Sequence, residues 1–262
     1  MQRTLANRVA IVAGAGPGIG RSTALTLAGD GASLVLAARR REPLESLAAE
    51  VRETTGRPAL PVVCDIADAE QRGSLIERTL AEFGRLDALV NVASAGSPRA
   101  AIPDLDWDDY RAAADFIVVA TLDLCGRAAR AMAATGGGSI INIGALSSTT
   151  LLPKMASYTS NKAAMVAASK TLAREVGRDG VRINIVTPGF TTGTALDEMF
   201  EQMAARGGKN AAELKERAAR EAALERHVDP EDIAEACLFL ASDRGRNITG
   251  VELQVNAGQW IG

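Results

Sequence analysis

The sequence predicts an α/β fold in which helices cover both faces of one parallel β-sheet. Short, continuous apolar runs alternate with longer amphipathic segments along the chain, as expected when buried parallel strands are connected by helices. A glycine cluster, Gly14-Ala15-Gly16-Pro17-Gly18-Ile19-Gly20, separates the first apolar run from the first helical pattern. The length of 262 residues and the hydrophobic fraction of 47% suit one continuous core. We therefore expect a single doubly wound domain over residues 1–262.

Seven apolar runs are expected to form the strands. They are Arg8–Ala13, Ser33–Ala37, Leu60–Cys64, Ala88–Asn91, Ser139–Ile143, Val181–Val186 and Glu252–Val255. Apolar residues recur at helical spacing between them, which predicts helices at Arg21–Gly29, Glu42–Thr55, Asp68–Phe83, Asp104–Met132 and Ala156–Lys170, and a further one before the last strand.

The segment 195–226 differs from these connections. It is highly charged, and Gly207-Gly208 separates two helical patterns within it. Because it is inserted between the sixth strand and the last helix, we expect it to fold over the functional site as a substrate lid. A pair of solvated surface helices is the alternative.

Composition and charge exclude several classes of protein. The net charge of −3 gives no long-range attraction to nucleic acid or anionic lipid. No apolar run approaches the roughly 20 residues of a membrane span, and the N-terminus lacks a signal-peptide pattern. Cys64, Cys125 and Cys237 lie far apart in apolar contexts, which indicates a reduced, cytoplasmic protein. His227 is the only histidine and no metal-ligand spacing is present, so we expect no metal site.

The glycine cluster is typical of a phosphate-binding turn. Glycines at a strand-to-helix turn let the backbone approach a ligand, and the helix N-terminus offers free N–H groups to a phosphate. A plain turn is the alternative, but the preceding strand and following helix are the context that dinucleotide binding requires. We therefore predict a Rossmann fold whose cofactor contacts Gly14, Gly16, Gly18, Ile19 and Gly20.

The end of the second strand carries a signal for the type of dinucleotide. An acidic residue there would bind the adenosine ribose hydroxyls, but Ala38 occupies that position and Arg39, Arg40 and Arg41 follow. Arginines form charge-assisted hydrogen bonds with phosphate. This favours NADP(H), with Arg39 and Arg40 at the 2′-phosphate, while NAD(H) stays open; a solvated basic start to the next helix is the alternative.

Two further strand ends supply candidate positions. Asp65, with Ile66, follows the third strand, where the carboxylate can meet the adenine amine or simply begin a turn. Asn91 ends the fourth strand, where its amide can fix neighbouring backbone or line the crevice.

Tyr158 and Lys162 are the predicted catalytic pair. Their i, i+4 spacing places phenol and ammonium on one helix face. A nearby cation favours the phenolate, so we expect Lys162 to lower the pKa of Tyr158 from about 10. A tyrosine tuned in this way can exchange a proton with a substrate oxygen. A half-buried tyrosine beside an exposed lysine is the alternative.

Together, these motifs resemble those of the short-chain dehydrogenase/reductase family over nearly the whole chain. The resemblance rests on Gly14, Gly18 and Gly20, the strand at 87–91, the Tyr158/Lys162 pair, Pro188-Gly189, and the ending PEDIAEACLFLASD…ITG. It implies that Tyr158 exchanges the proton, that Lys162 binds the nicotinamide ribose, and that hydride moves to or from the nicotinamide. It also implies cofactor contacts at Asp65, Ile66, Asn91, Ala93, Pro188, Gly189 and Thr192, and homotetramers, with a homodimer as the alternative.

The chain departs from the family pattern at polar catalytic positions. The family's serine stands thirteen residues before the tyrosine, where this chain has Ala145. The family's helix asparagine aligns with Ile117, and the fourth-strand motif ends in Ser94 rather than glycine. Loss of an oxyanion-type donor can raise the barrier by about 2.7–4 kcal/mol, unless Ser147 or Ser148 replaces the missing hydroxyl.

The leading hypothesis is an NADP(H)-dependent oxidoreductase that interconverts a ketone and a secondary alcohol. Tyr158 is its general acid/base, and Lys162 lowers the pKa of Tyr158. A nucleotide-binding sensor or scaffold with little redox activity is the main alternative, because the serine position is Ala145. Non-redox elimination chemistry on the same pair is a third. The predicted substrate is a lipophilic small molecule, in contact with Ala145, Ser147, Leu152, Phe190 and Met199.

Overall fold

The computed structural model describes residues 4–94, 97–208 and 210–261. Across these ranges, seven parallel strands form one sheet in the order β3-β2-β1-β4-β5-β6-β7. The strands are β1 (Val9–Ala13), β2 (Ser33–Ala38), β3 (Ala59–Val63), β4 (Ala88–Asn91), β5 (Gly138–Ile143), β6 (Val181–Pro188) and β7 (Glu252–Val255). Strand order reverses between β1 and β4, and open parallel sheets bind ligands at such a switch point.

The helices are bounded as follows: α1 (Ile19–Gly29), α2 (Arg41–Thr55), α3 (Ala69–Phe83), α4 (Trp107–Ala114), α5 (Thr121–Ala134), α6 (Ser147–Thr150), α7 (Ala156–Val176), α8 (Thr194–Gly207), α9 (Ala211–Arg220) and α10 (Pro230–Ala241). No helix in the described ranges combines the length and apolarity needed to cross a bilayer.

Strand β1 shows why the strand sequences are continuously apolar. Ala10 and Val12 pack into one core, with residues of α1, α2 and α10. Ile11 and Ala13 pack into a second core on the opposite face, with residues of α3, α5 and α7. Since each face of the sheet is covered, successive residues of the strand are buried on alternate sides. This confirms the predicted layered architecture.

The predicted single helix over Asp104–Met132 is wrong in its beginning and its regularity. Ile102–Asp104 forms a 3₁₀ turn, and the Asp106 carboxylate then accepts the N–H groups of the first turn of α4. A π-helical segment, Asp115–Ala120, separates α4 from α5. A π turn leaves the apolar pattern readable as a helix, so periodicity does not reveal it. Such turns are frequent at functional sites, and this one contains Ile117.

Asp87 fastens the amino ends of β1 and β4. Its buried carboxylate accepts hydrogen bonds from the Val9 N–H at 2.8 Å, Arg8 Nη1 at 2.9 Å and Arg85 Nε at 2.8 Å. Burial alone would raise the pKa of Asp87, but the hydrogen bonds from Arg85, Val9 and Arg8 outweigh it and hold the pKa below its ordinary value. Asp87 therefore stabilises the folded protein as an anion.

Candidate active site

The glycine turn between β1 and α1 is held against the ends of the neighbouring strands. The N–H groups of Gly14 and Ala15 donate to the Ala37 carbonyl at 2.8 and 3.1 Å. A Cβ on Gly14 would lie 2.3 Å from the Ala93 nitrogen, and one on Gly20 would lie 2.2 Å from the Gly14 carbonyl oxygen. Both glycines are therefore required for close backbone packing.

Gly16 and Gly18, in the same turn, border open space rather than other backbone. A Cβ on either would meet no atom within 4 Å, and Gly18 has a φ of +78°. The N–H groups of Ile19 and Gly20, which open α1, donate to no acceptor in the described part of the chain. An open concave turn with free N–H groups at a helix N-terminus fits a pyrophosphate.

The three arginines after β2 are not equivalent. Arg41 pairs with Glu45 at 3.2 Å, one turn along α2. Arg39 and Arg40 are exposed and form no ion pair with any described residue. They lie at the end of β2, beside Ala38, where the sequence predicts a 2′-phosphate contact.

Asp65 begins a turn after β3. Its Oδ1 accepts the Ala67 N–H at 3.0 Å, and Ile66 beside it is buried. The Cys64 N–H donates to the Ala38 carbonyl at 3.0 Å, which places this turn next to the end of β2. Asp65 therefore begins a turn, which is one of the two roles predicted for it. The turn lies at the sheet edge where the adenine contact is predicted.

Asn91 directs its amide into the interior rather than into the crevice. Its Nδ2 donates to Asn142 Oδ1 at 2.7 Å, and Asn142 Nδ2 donates to Ser169 Oγ at 2.8 Å. This chain of hydrogen bonds connects β4, β5 and α7. The two roles predicted for this side chain, fixing neighbouring backbone or lining the crevice, are not the ones observed: it bonds the side chains of Asn142 and Cys125. At Ala93, the backbone N–H donates to the Ala13 carbonyl at 2.9 Å, beside the glycine turn.

Tyr158 and Lys162 lie on α7 as their spacing predicts. Lys162 is buried, its Nζ donates to the Ile143 carbonyl at 2.8 Å, and it lies 5.9 Å from the centroid of the Tyr158 ring. Burial lowers the pKa of Lys162 to about 8. The expected shift of Tyr158 is wrong in direction: burial raises its pKa, opposed by a hydrogen bond with Ser94. Desolvation of the phenolate is thus the larger effect.

Tyr158 faces a cavity of about 1400 Å³. All five predicted substrate residues line it, and so do Pro188 and Gly189. They are Ala145, Ser147, Leu152, Phe190 and Met199. These residues come from three separate segments of the chain, which meet here because the carboxyl ends of parallel strands lie at one edge of the sheet.

The segment expected to form the lid lies against this cavity. Helices α8 and α9, separated at Gly207-Gly208 as predicted, contribute Leu196, Phe200, Met203 and Leu214 to its lining. Phe200 meets Phe190 edge-on, with ring centroids 5.8 Å apart.

Comparison with known proteins identifies the family of this site. A family model described as enoyl-(acyl carrier protein) reductase matches residues 14–259. A protein of Aspergillus oryzae named Short chain dehydrogenase/reductase astE is 34% identical over 256 residues, covering 97% of this chain and 95% of that protein. The chain belongs to the short-chain dehydrogenase/reductase family. It is therefore an oxidoreductase.

Solved structures show the same fold with nicotinamide cofactors bound. L-sorbose reductase from Gluconobacter frateurii, complexed with NADPH and L-sorbose, has a TM-score of 0.93 and 29% identity, covering 100% of both chains. An NAD⁺-bound xylitol dehydrogenase has a TM-score of 0.91 and 27% identity, covering 97% of this chain and 99% of its own. The cofactor of this dehydrogenase/reductase is a nicotinamide dinucleotide, which the open glycine turn fits.

Ala145 and Ile117, the two positions predicted to depart from the family pattern, both place apolar side chains near the site. Ala145 contributes a methyl group to the cavity wall. Ile117, in the π-helical segment, is buried against Met165, Val166 and Ile185, next to Tyr158. Lys162 is anchored to a backbone carbonyl beside this apolar cluster.

Several site residues were missed or placed differently by sequence reasoning. The Thr192 hydroxyl donates to Asp229 Oδ1 at 2.5 Å, and its neighbour Thr191 lines the cavity instead. Gln259, near the end of the chain, also lines it and accepts the Phe190 N–H at 2.6 Å. No sequence signal marks Gln259, because its position depends on how the chain folds back after β7. Thr191, one residue from the predicted position, lies in the same hydroxyl-rich loop.

Proposed function

We propose that this short-chain dehydrogenase/reductase reduces a lipophilic ketone to a secondary alcohol with NADPH, and catalyses the reverse reaction with NADP⁺. The observation that carries the proposal is the position of Tyr158: its phenol faces the cavity that Pro188 and Gly189 also line, next to the buried Lys162 ammonium. A bound NADPH supplies the hydride.

Tyr158 is suited to the role of general acid. Because burial raises its pKa above the ordinary 10.0, the phenol stays protonated at neutral pH. Reduction of a ketone creates an alkoxide, and the phenol transfers its proton to that oxygen. The Lys162 ammonium, held by the Ile143 carbonyl, stabilises the phenolate that remains.

The cofactor is held by residues at the carboxyl edge of the sheet. We assign the pyrophosphate to Gly14, Gly16, Gly18, Ile19 and Gly20, the 2′-phosphate to Arg39 and Arg40, the adenine to Asp65 and Ile66, and the nicotinamide half to Ala93, Tyr158, Lys162, Pro188, Gly189 and Thr192. Asn91 is left out of this assignment because its amide bonds Asn142 in the interior. Arg39 and Arg40, which have no ion-pair partner among the described residues, and the alanine in place of an acidic residue at position 38 support NADP(H) over NAD(H). Homotetramers, or homodimers, and a cytoplasmic location remain predictions.

The cavity supports a mainly apolar substrate. Leu152, Met199, Phe200 and Met203 surround the space in front of Tyr158. Such walls gain free energy by taking apolar surface out of water, so a ring or chain fits them better than a small polyol does.

The second candidate function is a nucleotide-binding protein with little redox activity. The apolar side chains at Ala145 and Ile117 favour it. It predicts that the protein binds NADPH but turns over no ketone of a panel.

The test is NADPH oxidation with a panel of cyclic and open-chain ketones. The variants are Tyr158→Phe and, as a matched control, Tyr110→Phe, which removes a phenol that bonds Ser160 at 3.0 Å. We expect turnover by the wild type and Tyr110→Phe and a loss of at least about 100-fold in Tyr158→Phe. Equal turnover in Tyr158→Phe and wild type would refute the acid role. NADPH binding without turnover of any ketone would establish the second candidate.

A further inference from the structure

The short helix α6 carries four consecutive hydroxyl side chains, and three of them are committed to the backbone. Ser148 Oγ donates to the Ala145 carbonyl at 2.7 Å, Thr149 Oγ1 to the Leu146 carbonyl at 2.7 Å, and Thr150 Oγ1 to the same carbonyl at 3.3 Å. Ser147 differs from the other three. Its Oγ is buried and has no hydrogen-bond partner among the described residues.

Ser147 also differs from Ser148 in what it faces. Ser147 lines the cavity in front of Tyr158, together with Ala145. Ser148 lines a separate, smaller cavity of about 690 Å³. The Ser147 carbonyl accepts the Thr159 hydroxyl at 3.2 Å, which ties this residue to α7 directly after Tyr158. The backbone of Ser147 is thus held in place, and its hydroxyl has no hydrogen-bond partner among the described residues.

An unpaired buried hydroxyl is uncommon, because a buried polar group without a partner destabilises the folded state. The Ser147 hydroxyl can turn about its Cα–Cβ bond toward the cavity without breaking a hydrogen bond to any described residue. A substrate oxygen beside Tyr158 would satisfy it. The Ser148 hydroxyl would first have to give up the Ala145 carbonyl.

We propose that Ser147 donates a hydrogen bond to the substrate carbonyl oxygen, in place of the hydroxyl that is missing at Ala145. The proposal rests on the proposed ketone reduction. In it, Ser147 and Tyr158 converge on one oxygen: Tyr158 transfers its proton to that oxygen, and Ser147 holds it in place as negative charge develops. Preorganised donors of this kind act mainly in the transition state.

The experiment compares four hydroxyl variants by NADPH oxidation with the best ketone of the panel. They are Ser147→Ala, the adjacent Ser148→Ala, Ser97→Ala, which removes a second buried cavity hydroxyl without a described partner, and Ala145→Ser. We expect Ser147→Ala to lower kcat about 100-fold with unchanged NADPH binding by calorimetry. Ser148→Ala should stay within about threefold of wild type. Ser97 shares the buried, unpartnered state of Ser147, so a loss of about 100-fold in Ser97→Ala with none in Ser147→Ala would assign the donor to Ser97 instead.

Rescue separates a role in substrate binding from a structural one. The double variant Ala145→Ser/Ser147→Ala restores the hydroxyl at the neighbouring position, so we expect its kcat within about tenfold of wild type. A general weakening of the fold would not be rescued in this way.

Three results would overturn the assignment. In the first, Ser147→Ala turns over like wild type, in which case the ketone reduction stands and the role of Ser147 does not. In the second, Ala145→Ser alone raises kcat about 100-fold, which means that the wild-type site has no such donor. In the third, neither wild type nor Ala145→Ser reduces any ketone, which refutes the proposed function and the Ser147 role with it.

Discussion

Lys162→Met is expected to inactivate this protein and to stabilise it. Burial lowers the pKa of Lys162 from 10.5 to about 8, which corresponds to a penalty of about 3 kcal/mol for keeping the ammonium in the folded protein. Methionine removes that penalty with a side chain of similar length. It leaves the Ile143 carbonyl without its donor, at a cost of about 1 kcal/mol. We therefore expect a net gain of about 2 kcal/mol in the free energy of unfolding at pH 7.

The gain should depend on pH in a defined way. Below about pH 8, Lys162 is protonated in both folded and unfolded protein, so the wild type bears the full penalty. Between pH 8 and 10.5 the folded state releases its proton first, and wild-type stability from this group rises. The advantage of Lys162→Met should therefore shrink over this range and reverse above it, where only the cost of about 1 kcal/mol for the unpaired Ile143 carbonyl remains.

Urea unfolding of the cofactor-free protein at pH 7 and pH 10 measures both effects. Lys170→Met, on the same helix with a half-exposed side chain 3.7 Å from Glu252, is the matched control and should change stability by less than about 0.5 kcal/mol. The reasoning is refuted if Lys162→Met is less stable than wild type at pH 7, or if its advantage does not fall with rising pH.

Three further predictions concern the sheet and the cofactor turn. Asp87→Asn should destabilise the protein by about 3 kcal/mol in urea unfolding, since it removes a buried, paired charge. The stability that Asp87 contributes to the wild type is present above the ordinary pKa of 3.8. It is lost as the pH falls through the lower pKa of the folded state. Gly16→Ala should leave unfolding unchanged but weaken NADPH binding in calorimetry at least about tenfold. Gly14→Ala should destabilise the fold, because a Cβ at Gly14 meets backbone atoms and one at Gly16 does not. Equal behaviour of the two variants would contradict this. Arg39→Gln should weaken NADPH binding about tenfold and leave NADH binding unchanged, and a parallel loss for NADH would exclude a 2′-phosphate contact.

The sheet was predictable because its strands are buried on both faces. Continuous apolar runs then mark each strand to within two residues, as β1 and β4 show. The glycine turn was predictable for a related reason: a strand, a turn and a helix in sequence leave few alternatives. The π-helical segment at Asp115–Ala120 was not, since an extra residue in one turn leaves the surrounding apolar pattern helical.

Site residues that follow strand ends were predictable from the sequence. Those whose position depends on tertiary packing were not. Ala145 and Ser147 follow β5 directly and reach the cavity as expected. Gln259 reaches it only through the path of the chain after β7. Burial raises the pKa of Tyr158 and a hydrogen bond with Ser94 opposes it, and i, i+4 spacing gives no measure of either.

Transfer of hydride and proton in a single turnover tests the central claim most directly. NADPH carrying deuterium at the transferred position of the nicotinamide is mixed with excess enzyme and a ketone, and the alcohol is analysed by mass spectrometry over time. The account predicts deuterium at the carbinol carbon for wild type and Tyr110→Phe, and a rate at least about 100-fold lower for Tyr158→Phe. Equal rates in all three proteins, or an alcohol without deuterium, would contradict it.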